Sequence, residues 1–286
     1  MDNNEKNKVE KSTLYLVGTP IGNLSDMTDR AKKVLCEVDF VAAEDTRNSM
    51  KLLTCFGIHQ ELVSYFEHNK RESGERIVTR LLGGESCALI TDAGMPAISD
   101  PGEDLVRLCS EAGITVKVVP GPSACVSALA LSGLSTARFA FEGFLPAQKG
   151  ERRKRLEAVA NEERTMIFYE APHKLRATLE DMADVFGADR KIALCRELTK
   201  LNEEAQRTTL EGALALYREK EPRGEYVLVV EGGSGKSAVD NPLLSLSPEA
   251  HVAHYENSGM KRMDAIKAAA KDRGLSKSEL YKILVE

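Results

Sequence analysis

The 286-residue sequence has no apolar run long enough to cross a bilayer. Its longest, such as YVLVV (226–230) and FVAA (40–43), fall far short of the roughly 20 residues that a spanning helix needs. The opening stretch MDNNEKNKVEKS lacks an apolar centre, which excludes a secretory signal peptide and predicts a flexible leader over 1–12. None of the six cysteines stands in a C-x-x-C pair, and most lie within apolar patterns such as CALIT and IALCRE. That excludes a disulfide framework or a zinc ribbon and predicts buried, reduced thiols in a cytoplasmic protein without membrane attachment. There is no excess of basic charge: 39 Lys and Arg face 44 Asp and Glu, for a net charge of -5. General coating of nucleic acid is thereby excluded, although a local basic patch is not.

Two phosphate-binding fingerprints are also missing. EGGSGKS (231–237) ends like a Walker loop, but Val230 stands where the first glycine is required, and Asp240-Asn241-Pro242 cannot begin the helix that must follow. This stretch reads as part of a linker. The first strand-turn-helix unit, LYLVGTPIGNLSDMT (14–28), has no G-x-G-x-x-G, and Pro20 removes an amide that a pyrophosphate would use. His251 and His254 are three residues apart without further Cys or His around them, so no metal site is expected and packing or surface histidines are.

What is present is an alternation of strand-like and helix-like runs. Strands are predicted at 14–17, 38–43, 62–65, 87–91 and 115–119, with amphipathic helices between them. The helix over 102–112 has Asp100 to cap it, Pro101 in its first turn and Gly113 to end it. This rhythm implies a mainly parallel sheet with helices on its faces. It resumes in FAFEGFLP, RTMIFYE, KIALCRE and EYVLVVE. The predicted fold is therefore α/β, with two consecutive α/β domains (13–124 and 125–234), a linker (235–246) and a small helical tail (247–286) that carries a Ser276/Glu279 capping box.

Open α/β sheets bind ligands beyond the carboxyl ends of their strands. Gly18-Thr-Pro-Ile-Gly22 makes a stiff turn at such an end, which by itself suits a plain connection as well as a ligand wall. TDAGMPAISDPG (91–102) adds a carboxylate, Asp92, and glycine that permits close approach. VVPGPSACVSAL (118–129) repeats the strand-turn-helix arrangement with Ser123 at the helix start. FYEAPHKL, CRELTK and GEYVLVVEG put polar residues at strand ends in the second half.

Taken in order, LYLVGTPIGNLSDMT, VAAEDTR, LITDAGMPAISDPG, VVPGPSA, FEGFLP, FYEAPHKL, RELTK and GEYVLVVEG resemble the ribosomal RNA small subunit methyltransferase I family, within the tetrapyrrole methylase (class III) superfamily. The resemblance spans residues 14 to about 233. It implies S-adenosylmethionine held in a cleft between two α/β domains of a homodimer, and 2′-O-methylation of a cytidine ribose in the decoding centre of 16S rRNA in the small ribosomal subunit. By motif position it implies cofactor contacts from Ile21, Asp92, Ala93, Gly94, Met95, Ser123 and Ala124, with Tyr169, Leu198 and Tyr226 from the second domain. The first glycine turn would then wall the cleft and not cradle a phosphate, which accounts for the missing fingerprint.

RNA requires cations. KGERRKR (149–155) offers Arg152, Arg153, Lys154 and Arg155 beside the expected cleft, and the tail offers further lysines. Either run also reads as a solvated helix face. AAEDTR (42–47) delivers Glu44, Asp45 and Arg47 to the same sheet edge as the glycine turn. It reads either as a capped turn with an ion pair, or as a catalytic group in which Arg47 meets a phosphate and one acid deprotonates the ribose hydroxyl. Alternation does not decide between the acids. Competing readings are a class III methylase of a tetrapyrrole or other small acceptor, a non-catalytic ribosome-binding module with a vestigial pocket, and a nucleotide hydrolase, which the failed Walker pattern disfavours.

Overall fold

Each of the five apolar runs in the first half of the chain is a strand. In a computed structural model, which describes residues 8–233, 242–273 and 275–285, they are β1 (Thr13–Val17), β2 (Phe40–Ala43), β3 (Leu62–Ser64), β4 (Cys87–Ile90) and β5 (Thr115–Val119). Residues 1–7 of the expected leader and 234–241, which hold most of the Walker-like stretch and much of the expected linker, lie outside the described residues. The five strands form one parallel sheet in the order β3-β2-β4-β1-β5. Alternate residues bury on opposite faces: Leu14, Phe40 and Leu89 on one, Tyr15, Val41, Ala88 and Ile90 on the other. A parallel sheet covered on both sides needs continuous apolar strands, which is why these runs stand out in the sequence.

The covering helices carry their caps in the sequence. Thr28 accepts from the Ala31 amide at the start of α1 (Asp29–Glu37), and Asp45 caps α2 (Thr46–Cys55). The α3 helix (Lys70–Leu82) packs beside α4 (Gly102–Glu111). Asp100 accepts from the Gly102 amide at 2.7 Å, and Gly113, at φ +70°, follows the end of α4.

The second sheet departs from the expected parallel rhythm. It contains β6 (Phe139–Phe144), β7 (Thr165–Glu170), β8 (Lys191–Arg196), β9 (Glu204–Thr209) and β10 (Tyr226–Val230), in the order β6-β7-β10-β8-β9. Only β6 and β7 run parallel; the pairs β7/β10, β10/β8 and β8/β9 are antiparallel. One face carries α5 (Ala124–Ser132), whose Cys125, Ala128 and Leu129 pack on Ile167, Ala193, Val227 and Val229. On the other, Tyr217 of α8 (Leu210–Glu219) meets Tyr226 edge to face with centroids 5.8 Å apart. The α6 helix (Lys149–Ala158) follows β6, and α7 (Leu175–Phe186) follows β7.

The chain groups into two compact units. One joins Thr165–Glu231 to the chain up to Leu156 and holds both sheets; the other joins Glu157–Arg164 to the chain from Gly232 onward. The tail contains α9 (Pro248–Asn257), α10 (Arg262–Asp272) and α11 (Lys277–Val285), around Val252, Ala265, Ile266, Ala269 and Leu280. The Ser276/Glu279 box forms as expected: the Ser276 amide donates to Glu279 at 2.7 Å, and the Glu279 amide donates to the Ser276 hydroxyl at 3.2 Å. His251 is a packing histidine, fully buried, with Nε2 3.0 Å from an Asp272 carboxylate oxygen while Arg273 donates to Nδ1 at 3.1 Å. Among the described residues, no helix is long and apolar enough to cross a membrane.

Candidate active site

The order of the parallel sheet reverses direction between β1 and β4: β1 leads leftward past β4 to β2, and β4 leads rightward past β1 to β5. Ligands of open α/β sheets sit at such a switch point. Here the loops after β1 and β4 are clasped together. Thr19 and Gly94 exchange backbone hydrogen bonds at 2.9 and 3.2 Å, and the Thr19 hydroxyl donates to the Thr91 carbonyl at 3.1 Å. The loop after β5 joins them through the Gly121 amide, which donates to the Met95 sulfur at 3.3 Å. A Cβ on Gly18 would stand 2.7 Å from the Gly121 Cα, so the first and third loops meet backbone to backbone, and only glycine permits this.

Over these loops lies a cavity of about 910 Å³, within the range of sites for whole organic ligands. Every residue to which the resemblance assigns a cofactor contact lines it: Ile21, Asp92 to Met95, Ser123, Ala124, Tyr169, Leu198 and Tyr226. The structure thus gathers into one cavity residues from Ile21 to Tyr226, from both sheets. Tyr226 contributes differently from the rest: its ring is turned to Tyr217 on the far face of the second sheet and is only 2% exposed. The neighbouring Val227 belongs to the apolar cluster on the near face, with Ile21, Tyr169 and Leu198. The alternation of β10 locates Val227, and the sequence reading missed it, together with Phe144, Cys195 and Glu197. Phe144 stacks edge-on against Tyr169 with centroids 5.4 Å apart.

The walls are rich in carboxylates. Asp92 and Asp100 come from the β4 loop, Glu44 from the end of β2, and Glu170 and Glu197 from the second sheet. Burial raises the pKa of Asp100 against the lowering effect of the amides of Gly102, Ala97 and Ile98. Its neighbours Ala97 and Ser99 hold left-handed backbone at φ +67° and +62°, as do Glu197 and Thr199 at +52° and +66° across the cavity. Strained non-glycine backbone of this kind collects at functional sites, held by surrounding contacts such as those of Asp100.

The structure separates the two acids of AAEDTR. Strand β2 ends at Ala43, and Asp45 turns away to cap α2. Asp45 accepts from the Arg47 amide at 2.8 Å, and Arg47 folds back onto it with Nη2 2.9 Å from Oδ2. These hydrogen bonds from Arg47 hold the Asp45 carboxyl at about 2. Glu44 alone of the two lines the cavity. Its Oε2 accepts from the Thr91 hydroxyl at 3.2 Å, and its pKa is raised, chiefly by burial, with Asp92, Asp100 and Asp45 adding to the shift.

The basic run is corrected in part. Arg152 is 5% exposed: Nε donates to Asp181 of α7 at 2.8 Å and Nη1 to the Ala147 carbonyl at 3.0 Å. A guanidinium committed in this way cannot reach a phosphate, so Arg152 is a structural residue. Arg153 bridges Asp181 and Asp184 at 3.3 and 2.8 Å, and Arg155 pairs with Glu142. Lys154 is exposed.

A family model described as Tetrapyrrole (Corrin/Porphyrin) Methylases matches residues 13–214. A ribosomal RNA small subunit methyltransferase I from Halalkalibacterium halodurans is 50% identical over 275 residues, covering 96% of this chain and 95% of that protein. The protein of the same name from Bacillus subtilis is 46% identical, covering 96% and 94%. Among solved structures, cobalt precorrin-4 methyltransferase, a cobalamin biosynthetic enzyme, superposes with a TM-score of 0.58 at 17% identity over 77% of this chain and 95% of that one. A uroporphyrin-III-C-methyltransferase from Thermus thermophilus gives 0.54 at 21% identity over 76% and 94%. The two-domain fold is that of these tetrapyrrole methyltransferases, and the chain belongs to the ribosomal RNA small subunit methyltransferase I family of the tetrapyrrole methylase class.

Proposed function

We propose that this chain is an S-adenosylmethionine-dependent methyltransferase that modifies the 2′ oxygen of a cytidine in the decoding centre of 16S rRNA. On this reading it acts in the cytoplasm on the small ribosomal subunit, as a homodimer. The observation that carries the reading is the convergence of the glycine loops and the second-sheet wall on one cavity, with Glu44 at its edge. The residues suit the methyl donor. Ile21, Leu198, Val227 and Tyr169 offer apolar and aromatic surface to a purine, and the carboxylates create a negative field for a sulfonium. Ser123 and Ala124, at the first turn of α5, place backbone amides where a carboxylate can accept. Gly94, at φ +87°, lets backbone form the cavity wall. Strand β5 is an edge strand, and its Val118, 52% exposed, is an apolar side chain that a second copy can cover.

When bound, S-adenosylmethionine supplies a methyl carbon already activated by its sulfonium. The chain must align a ribose oxygen and take its proton. Glu44 takes that proton, with the Thr91 hydroxyl fixing the carboxylate. Glu44 is open to solvent at the cavity edge, and partial desolvation there, with Asp92, Asp100 and Asp45 nearby, makes it a stronger base than a free carboxylate, which favours a role in proton transfer.

S-adenosylmethionine is expected to raise the melting temperature in the presence of a chelator, by about 2.7 kcal/mol of added stability at a hundredfold excess over Kd. Gly94→Val should abolish the shift, because valine is strained at this φ. Labelled donor should then mark 16S rRNA in unmodified small subunits. A folded wild-type protein with no thermal shift would sink the reading. Labelling of a tetrapyrrole instead of RNA would reassign the acceptor, and subunit binding without transfer would identify a non-catalytic module.

A further inference from the structure

A second cavity of about 240 Å³ adjoins the first and shares Thr91 and Asp92 with it. Its other walls include Pro20 and Leu24, from the turn after β1, and Asn48 and Leu52 of α2. This volume lies below the range typical of sites for whole organic ligands. Pro20, Leu24 and Leu52 give it apolar sides, and Leu24, at 49% exposure, is open to solvent. A small slot with apolar sides and one polar end suits a single nucleobase taken out of its stack.

The polar end has a direction. Asn48 Nδ2 donates to Asp92 Oδ2 at 3.3 Å. That bond takes one of the two Nδ2 protons and fixes the orientation of the amide, so that Oδ1 is held as an acceptor for a ligand. An acceptor welcomes the exocyclic amino group of cytosine or adenine and repels the corresponding carbonyl of uracil. Thr91, at the boundary of the two cavities, donates to Glu44 in the larger one. A nucleotide with its base in the slot therefore has its sugar beside the cavity that holds Glu44. Arg47, whose side chain is 86% exposed, precedes Asn48 on the same helical turn; Asp45 takes its Nε and Nη2, which leaves Nη1 to meet a flanking phosphate.

We propose that this second cavity is the acceptor-base subsite, which takes one flipped-out, amino-bearing base of the RNA, with Asn48 Oδ1 selecting cytosine over uracil. The proposal rests on the RNA methyltransferase reading. Its test is chosen so that the two can fail separately. The full chain is saturated with S-adenosylhomocysteine, and binding of cytidine 5′-monophosphate and uridine 5′-monophosphate is followed by saturation-transfer NMR. Cytidine monophosphate should bind about tenfold more tightly than uridine monophosphate. Asn48→Ala, on an exposed helical surface, should keep the fold and bring the two nucleotides to near equality. Leu52→Trp, which fills the slot, should abolish the nucleotide signal while S-adenosylhomocysteine binds with unchanged affinity.

The same variants are then assayed for single-turnover methylation of small-subunit RNA. If the nucleotide results hold but the wild type methylates no RNA, the subsite stands and the function reading falls. If the wild type methylates RNA while both variants match its rate and its preference for cytidine, the subsite falls and the function stands. Absence of any cytidine monophosphate signal from the wild type also overturns the subsite.

Discussion

Glu44→Gln is expected to fold, to bind S-adenosylmethionine with wild-type affinity and to transfer methyl groups roughly 10²–10⁴-fold more slowly. Glutamine keeps the shape and an oxygen for the Thr91 hydroxyl, which donates to Glu44 at 3.2 Å, but it cannot take a proton. Only the ionised carboxylate acts as base, so the wild-type rate should fall as pH drops through the Glu44 pKa. Burial raises that pKa above its ordinary 4.5, so the fall should begin at higher pH than for a free glutamate. The Gln variant should lose this limb of the profile. Asp45→Asn is the control, since Asp45 caps α2 and pairs with Arg47 away from the cavity. It should lose stability, with little change in the rate for protein that remains folded. Single-turnover rates between pH 4.5 and 8 check both variants. A Gln variant with the wild-type rate and profile would remove Glu44 from the mechanism, and weaker cofactor binding would make it part of the donor site.

Arg152→Leu is expected to lower stability by about 3–5 kcal/mol. The Arg152 and Asp181 side chains are 6% and 3% exposed, with Nη2 and Oδ2 2.7 Å apart. Removing the guanidinium leaves a buried carboxylate whose remaining cationic partner is Arg153, at 3.3 Å. The double change Arg152→Leu with Asp181→Leu should recover much of the loss, because it removes the stranded charge as well. Denaturant unfolding of the single and double variants measures both effects. A loss under about 1 kcal/mol for Arg152→Leu would place the pair among ordinary surface bridges. Lys154→Ala, in contrast, should leave stability unchanged; it is the member of the basic run suited to a test of salt-dependent RNA binding.

The parallel sheet was legible because strands buried on both faces are apolar throughout, as in CALI and FVAA. Strand β9, EAQRTT, was not, because it lies at an edge with every residue at least partly exposed and shows no apolar alternation. Its antiparallel pairing with β8 is what turns the expected second parallel sheet into a mixed one. The large cavity was legible as a set of strand-end turns, since the fold brings such turns to one edge. The fate of Arg152 was hidden because its partner Asp181 lies on another helix 29 positions along the chain. Glu44 and Asp45 could not be separated without knowing that β2 stops at Ala43 and that the next acid becomes a helix cap. Asn48 is not legible as a site residue, since a lone polar residue in a helix carries no pattern until the fold brings Asp92 beside it.

The seam between Gly18 and Gly121 has a consequence for redesign of the enzyme. Each glycine, given a Cβ, would press within 3.0 Å of the other's backbone. The two loops therefore behave as a fixed hinge plate on which the cavity wall is mounted, and a library that varies either position samples mostly misfolded plates. Diversity belongs on the walls of the slot, at Leu24 beyond the same turn and at Leu52 of α2, where side-chain volume can change without moving the plate.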